Sequence, residues 1–284
     1  MSLVMSRLRA LEEPRSRLAV WAMRIAAFSL AVGALAIIIE RADLLEIMPV
    51  LITFGAALAL ALLALLLAFA SFVALWNNGG SGFAQAMMAV LISVVLLGYP
   101  GYLAYMGYQL PAIKDITTDP IDPPRFEVVA RLRPPNSNPY PGLAAAGLQK
   151  EAWPDIEPLL LNVSAKVAFD GTMAVITKRK WRIVDARAPL PNREGHIEAI
   201  ARTPIMGFRD DVVVRIRATR EGAKIDIRSA SRFGTTDFGA NATRVLALLD
   251  DIDDAATSEK TDRQERQNKS ALKATAKPGQ GGKR

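Results

Sequence analysis

The first third of the chain consists of three long apolar stretches. They cover roughly residues 18–39, 47–76 and 83–108, and charged or turn-forming residues separate them. About 20 apolar residues in an α-helix cross the hydrocarbon layer of a bilayer, and each stretch exceeds that length. The pattern therefore predicts a bundle of three transmembrane helices. Asn77–Gly82 is rich in Asn, Gly and Ser, and it predicts a short turn between the second and third helices.

After Tyr108 the chain becomes charged and rich in proline. Residues 109–124 include the run TTDPIDPP. Proline fixes its own φ angle and disfavours a helical conformation in the residue before it, so this stretch predicts an extended linker. A separate soluble domain is expected over residues 125–255, with its ordered core beginning at Trp153.

Helical spacing of apolar residues appears twice in the soluble domain. Ser164 is expected to cap a helix whose apolar residues recur at i, i+3, i+4 and i+7, and Gly171 inside this helix indicates a close packing contact. Asn241 is expected to cap a last helix, in which Val245, Leu248 and neighbouring apolar residues share one face. Both apolar faces need a partner surface.

Alternation of apolar and polar residues predicts strands between these helices. It occurs over residues 196–202, 212–218 and 224–228, and the Glu221–Gly222 pair predicts the turn of a hairpin between the last two strands. The expected fold class is α+β, a mainly antiparallel sheet with one face covered by helices and one polar face, behind the transmembrane bundle.

Charge is concentrated at the two ends of the chain. The net charge is +7, of which residues 1–17 supply two positive charges and residues 257–284 supply five, so the part between them is neutral. A neutral domain has no basic field for a polyanion, and nucleic acid is therefore not an expected partner. The tail at residues 256–284 has almost no large apolar residues and is expected to be disordered, either as a solubilising extension or as a contact for anionic lipid surfaces.

The distribution of Lys and Arg beside the apolar stretches favours one orientation. Residues 1–17 contain four arginines, which predicts a basic cytoplasmic N-terminus under the positive-inside rule. Three crossings then place the soluble domain outside the cytoplasm, in the periplasm of a bacterium with an inner membrane. The count by side is narrow, four against three, because Arg41, Lys114 and Arg125 lie on the opposite side. The absence of cysteine excludes disulfides and is compatible with either compartment.

Four separated blocks in the soluble half resemble a known family. They are DITTDPIDPPRF at 115–126, WPDIEPL at 153–159, FRDDVVVRI at 208–216 and DIRSASRFGTTDFGANA at 226–242. In this order they are similar to the bacterial and plastid proteins catalogued as domain of unknown function 1499, over about residues 113–252. The resemblance implies no particular reaction, and it is typical of exported or membrane-attached proteins.

His196 and Glu198 are the first candidates for chemistry. They lie two residues apart on one predicted strand and so share a face, where a histidine and a carboxylate can perform acid–base catalysis. A single histidine without cysteine does not provide the usual ligands of a transition-metal site, so no metal or other cofactor is expected. The alternative is that both residues belong to an ordinary polar sheet face. Asp237 is a third candidate acid.

The segment from Arg228 to Asn241 is the candidate ligand site. It leads from a strand through a Gly/Thr-rich loop into a helix, and the free N–H groups at a helix start can bind an anion. The residues proposed for such a site are Arg228, Ser231, Arg232, Thr235, Asp237, Asn241 and Arg244. The alternative is that Asp237 and Asn241 only cap the helix, while arginines form cross-strand ion pairs with Glu198 and Asp226.

Two functions remain open from the sequence. The first is a non-enzymatic binding or assembly module, anchored in the bilayer of the cell envelope, with a protein or a small anionic ligand as its partner. The second is an envelope hydrolase that uses His196 with Glu198, or Asp237. A transport role is disfavoured because Arg24 is the only charged residue inside the apolar stretches.

Overall fold

The computed structural model describes residues 15–133, 139 and 143–275. Its helices are α1 (Arg17–Arg41), α2 (Ile47–Asn78), α3 (Phe83–Gln109), α4 (Val128–Leu132), α5 (Leu143–Ala152), α6 (Ala165–Lys178) and α7 (Ala240–Thr275). Its strands are β1 (Asp115–Thr117), β2 (Leu159–Leu161), β3 (Arg182–Arg187), β4 (Gly195–Arg202), β5 (Arg209–Ala218) and β6 (Ala223–Ser231). The chain divides into two compact units, one containing α1 to α3 with Pro204–Phe208 and the other containing the remaining elements.

The first unit contains the three apolar helices. Each is long and apolar enough to cross a membrane, and their ends lie close to those expected from the apolar stretches. Gly79, Gly80 and Gly82 adopt positive φ angles in the turn between α2 and α3, where glycine avoids the strain that a Cβ would cause.

Small side chains form the contacts among these helices. Apart from Val50 on α2, the buried positions are all small residues: Ala19, Ala22, Ala26, Ser29, Gly33 and Ala36 on α1, Ala57, Ala61, Ala64, Ala68 and Ser71 on α2, and Ala86, Ala89 and Ser93 on α3. Large residues such as Phe28, Ile52 and Phe69 are exposed instead. Small residues allow close backbone packing, and such contacts are typical of helices that associate within lipid.

The second unit contains a six-stranded sheet. Its order is β1-β6-β5-β4-β3, and β2 also pairs with β6. All pairings are antiparallel. The turn of the β5–β6 hairpin is closed by a hydrogen bond from the Thr219 N–H to the Gly222 carbonyl at 2.9 Å. The predicted hairpin turn is found at its expected place, and the α+β fold class is confirmed.

Helices α6 and α7 cover one face of the sheet. Ile197, Val214 and Ile225 of the sheet are fully buried in one cluster with Ile176 of α6 and Leu248 of α7. The Ser164 hydroxyl caps α6 by accepting a hydrogen bond from the Val167 N–H at 3.4 Å, as expected. The expected packing contact at Gly171 is wrong, because no atom other than those of its chain neighbours and its own helix backbone lies within 4 Å of the place where a Cβ would stand.

The predicted linker differs from the structure in its second half. Asp115–Thr117 forms strand β1 and pairs with β6, and the Thr118 N–H donates to the Ile227 carbonyl at 2.9 Å. This stretch is therefore part of the folded domain. Strand β1 itself contains no proline, and its pairing with β6 joins residues far apart along the chain, so the local proline pattern did not predict it.

The predicted disorder of the tail also differs from the structure, which continues α7 to Thr275. Ala, Glu, Lys, Arg and Gln are good helix formers, and extending an existing helix avoids the cost of a new nucleus. Residues 1–14 and 276–284, the ends of the predicted basic N-terminus and tail, lie outside the described residues.

The second face of the sheet is covered by the chain that follows β1. We call this covering segment, Thr118–Arg133, the strap. Polar residues on the sheet beneath it are buried, namely His196, Glu198, Arg215, Asp226 and Arg228. The predicted polar face is found, but it is not an ordinary polar sheet face opposite a buried one, because the strap buries these polar residues as well.

Candidate functional site

His196 and Glu198 lie side by side on β4, as their spacing predicts. The His196 Nε2 atom is 2.9 Å from the Glu198 Oε1 atom. The same oxygen accepts hydrogen bonds from the backbone N–H groups of Glu127 at 2.6 Å and Val128 at 3.2 Å, and Oε2 accepts from the Val129 N–H at 2.6 Å. The carboxylate therefore holds the first turn of α4 on the sheet.

The environment of Glu198 favours its ionised form. Burial acts to raise its pKa, but the hydrogen bonds from His196 and from the three backbone N–H groups more than offset this, so the pKa lies below its ordinary value of 4.5. Its four hydrogen bonds and zero exposure leave this carboxylate no open position for a substrate. The pair has the distance of an acid–base dyad and the surroundings of a structural anchor.

Asp210 and Asp211 illustrate how adjacent strand residues diverge. The Asp211 carboxylate pairs with Arg232 at 2.8 Å and Arg133 at 2.6 Å, while the Asp210 carboxylate pairs with Arg244 at 2.6 Å. Burial raises the pKa of Asp210, against the opposing effects of the Arg244 guanidinium and the Ser231 hydroxyl. The two carboxylates serve different ion pairs, in keeping with the expectation that they do not share one site.

The arginines of the candidate ligand segment are engaged within the domain. Arg228 forms a two-pronged ion pair with Asp115, through Nε at 2.9 Å and Nη2 at 2.7 Å. Arg232 and Arg244 bind Asp211 and Asp210 as described above. The Arg228 pair is bidentate, which is the strong and specific form, and all three arginines already hold anions that belong to the chain.

Asp237 caps the last helix. Its Oδ1 accepts from the Gly239 N–H at 3.0 Å and its Oδ2 from the Asn241 N–H at 2.7 Å. Burial raises its pKa, although those two N–H groups act in the opposite direction. The expectation that Asn241 is also a cap is wrong, because its side chain points to other partners.

The Asn241 amide bridges three parts of the domain. Its Nδ2 donates to the Lys114 carbonyl at 3.0 Å and to the Ser231 hydroxyl at 2.9 Å, and its Oδ1 accepts from the Ser229 hydroxyl at 2.7 Å and from Arg244. Thr235, by contrast, is exposed in the loop. The structure thus brings the predicted segment together, but most of its polar groups bind one another.

A charge cluster that sequence reasoning missed lies beneath the strap. Arg215 binds Asp226 at 3.0 Å and Asp122 at 2.9 Å, and Arg217 binds Asp226 at 2.7 Å. Asp119 lies 3.4 Å from Arg215, Arg217 and Lys224 alike. The expected pairing of arginine with Asp226 is found, whereas Glu198 pairs with His196 instead. The sequence signal was the Asp119–Pro120–Ile121–Asp122 turn, which was interpreted as linker.

Two shallow cavities open near this cluster. One, of about 430 Å³, is lined by Pro120, Ile121, Asp122, Pro123, Arg125, Leu143 and Arg228. The other, of about 470 Å³, includes Lys166, Arg193 and Arg217 in its lining. Within the described ranges, no group of three or more His, Asp or Glu side chains is placed to hold a metal ion.

The four sequence blocks all lie within the range of one family match. Residues 115–252 match the family described as Protein of unknown function (DUF1499). Because of this similarity, we call residues 115–252, just under half of the chain, the DUF1499 domain. The resemblance is confirmed, and the DUF1499 domain follows the three apolar helices. The matched range begins at β1, which agrees with the structure in assigning the proline-rich stretch to the domain.

Comparison with known proteins adds little about activity. None of the curated proteins shows a significant match to this chain. The crystal structure of protein NE0264 from Nitrosomonas europaea aligns with a TM-score of 0.21 and 12% identity, covering 37% of this chain and 94% of that one. The di-domain ARO/CYC StfQ from the steffimycin biosynthetic pathway aligns with a TM-score of 0.22 and 13% identity, covering 63% of each chain. At such TM-scores neither likeness bears on function.

Proposed function

We propose that this protein is a membrane-anchored binding or assembly module of the bacterial cell envelope. In this proposal α1 to α3 span the inner membrane, and the DUF1499 domain lies in the periplasm and binds a protein or a small anionic ligand without catalysing a reaction. The observation that carries it is the use of Glu198, whose carboxylate accepts four hydrogen bonds inside the domain. A carboxylate committed to holding α4 supports a structural role for the only histidine–acid pair.

The catalytic alternative is an envelope hydrolase that uses His196 with Glu198, or Asp237. It is tested with His196→Gln and Asp237→Asn in a strain that lacks the native gene. Because neither group has a catalytic duty in the proposal, each variant is expected to restore the defect of that strain when its abundance and melting temperature match the wild type. Loss of function at unchanged abundance and melting temperature would favour the hydrolase.

The orientation part of the proposal rests on the four arginines before α1. It is tested with alkaline phosphatase, which is active only outside the cytoplasm, fused after Gln109. We expect an active fusion there and an inactive one after Gly80, in the turn between α2 and α3, because the two sites are separated by one crossing. An inactive Gln109 fusion of normal abundance, with an active Gly80 fusion, would reverse the orientation.

A further inference from the structure

The charges under the strap are unequally shared between the sheet and the strap. Arg215 and Arg217 on β5, with Lys224 on β6, form a group that we call the basic patch. The sheet itself offers this patch one carboxylate, Asp226, which faces Arg215 in the strand register. Three cations against one acid leave the sheet with an excess of two positive charges at this place.

The excess is neutralised by a turn of the strap. Asp119 and Asp122 supply two carboxylates, and the Asp119 Oδ1 accepts from the Asp122 N–H at 3.1 Å, which fixes the turn between them. The basic patch therefore holds a dicarboxylate that belongs to the chain. Burial acts to raise the pKa of Asp119, but the Asp122 N–H together with Lys224 and Arg215 lowers it below its ordinary 3.8.

Most contacts between the turn and the patch are long. Asp119 is 3.4 Å from each of the three cations, and Asp122 is 3.5 Å from Arg217. Charged N–H to oxygen contacts are usually about 2.7–2.9 Å, a length that only Arg215 reaches with Asp122. The Asp122 side chain is also 59% exposed. Exposed ion pairs contribute little to stability, so the exposed Asp122 carboxylate adds little to the hold of the turn on the patch.

One cavity borders the turn and another borders the basic patch. The cavity of about 430 Å³ is walled by Pro120–Pro123. The cavity of about 470 Å³ reaches Arg217, whose side chain is 33% exposed. Lys166 and Arg193 also line this cavity. The patch is therefore open to solvent at Arg217, and the turn is open to solvent at Asp122.

We propose that the basic patch is a binding site for a small dicarboxylate, and that the Asp119–Asp122 turn occupies it as an internal competitor. The ligand displaces the turn and replaces its two carboxylates on Arg215, Arg217 and Lys224. This inference rests on the proposed function, since it names the class of anionic ligand that the module binds.

The test measures succinate binding to the detergent-solubilised full chain by isothermal titration calorimetry. An internal competitor lowers apparent affinity by the fraction of time that it occupies the site, so D119N/D122N is expected to bind succinate at least about tenfold more tightly than wild type. The matched control is E157Q/D170N, which removes two exposed carboxylates elsewhere and leaves the turn intact. Adding R217Q to D119N/D122N is expected to abolish the gain in succinate affinity.

Equal succinate affinity in D119N/D122N and wild type, or an equal gain in E157Q/D170N, would overturn the inference. If D119N/D122N does not fold, hydrogen exchange in the wild type decides. Succinate is then expected to accelerate exchange of the Asp122 amide at least about tenfold, with no change in β4. An unchanged Asp122 rate at saturating succinate would refute displacement. Neither assay depends on membrane orientation or on His196, so failure here is distinct from failure of the proposed function.

Discussion

At the scale of residues, the polar groups of the DUF1499 domain are matched to one another. Glu198 binds His196 and three backbone N–H groups, and Asn241 joins β6, α7 and the Lys114 carbonyl. Buried polar groups stabilise a fold only when they are paired, because an unpaired one retains its full desolvation cost. Removing one member is therefore expected to cost more than its net contribution to stability.

Glu198→Gln is expected to destabilise the protein by about 2–3 kcal/mol at pH 7, because an amide can accept fewer of the hydrogen bonds made to this carboxylate. The folded pKa of Glu198 is lowered, so its stabilisation is complete above its ordinary value of 4.5 and is lost as the pH falls through the folded value. The variant should thus lose less stability than wild type below pH 4.5 in urea unfolding. The exposed Glu157→Gln is the control, and equal acid sensitivity in wild type and Glu198→Gln would contradict the assignment.

Asn241→Ala is expected to destabilise the protein by about 2–4 kcal/mol, because it leaves buried partners unsatisfied. Thr235→Ala, in the same predicted site but exposed, should stay within about 0.5 kcal/mol of wild type. Thermal unfolding followed by circular dichroism measures both. Similar effects in the two variants would show that Asn241 does not have the bridging role described.

At the scale of elements, Gly222 and Gly171 differ in whether the surrounding backbone leaves room for a side chain. Gly222 in the β5–β6 turn has a φ of +152°, and an added Cβ would stand 2.0 Å from the Leu161 carbonyl oxygen. Gly171 inside α6 has ordinary helical surroundings with open space beside it. A turn that β2 packs against thus requires glycine, whereas the helix only tolerates it.

Gly222→Ala is expected to lower the free energy of unfolding by about 3 kcal/mol or more, since backbone atoms must move. Gly171→Ala should raise it by about 0.5–1 kcal/mol, because alanine has the better helix propensity. Urea unfolding of both variants under identical conditions provides the comparison. A stabilised Gly222→Ala, or a destabilised Gly171→Ala, would refute the local geometry at that position.

At the scale of the whole molecule, the basic charge lies at the ends of the chain. Removing residues 257–284 takes away five of the seven net positive charges. We expect this truncation to abolish any salt-sensitive retention of the protein on a single-stranded DNA column, because counterion release requires clustered Lys and Arg. Retention of the truncated protein equal to that of the full chain would instead locate a polyanion site in the folded part.

Local sequence patterns were sufficient to predict part of this structure. The three apolar stretches, the Ser164 cap and the β5–β6 hairpin depend on neighbours in sequence, so length, period and turn residues predict them. The predicted ligand segment is also brought together at the start of α7. Its local geometry, a strand leading through a loop into a helix, was visible in the order of residues.

The strap was decided only by tertiary structure. Asp119 and Asp122 follow a proline pattern that suits a linker and an edge segment equally, and their partners on β5 and β6 lie 93 residues or more away along the chain. No local period reports such a pairing. The sequence by itself determined that the sheet has a polar face, whereas the fold determined that this face is buried and ionically filled, because desolvating those charges is tolerable only when each meets a partner.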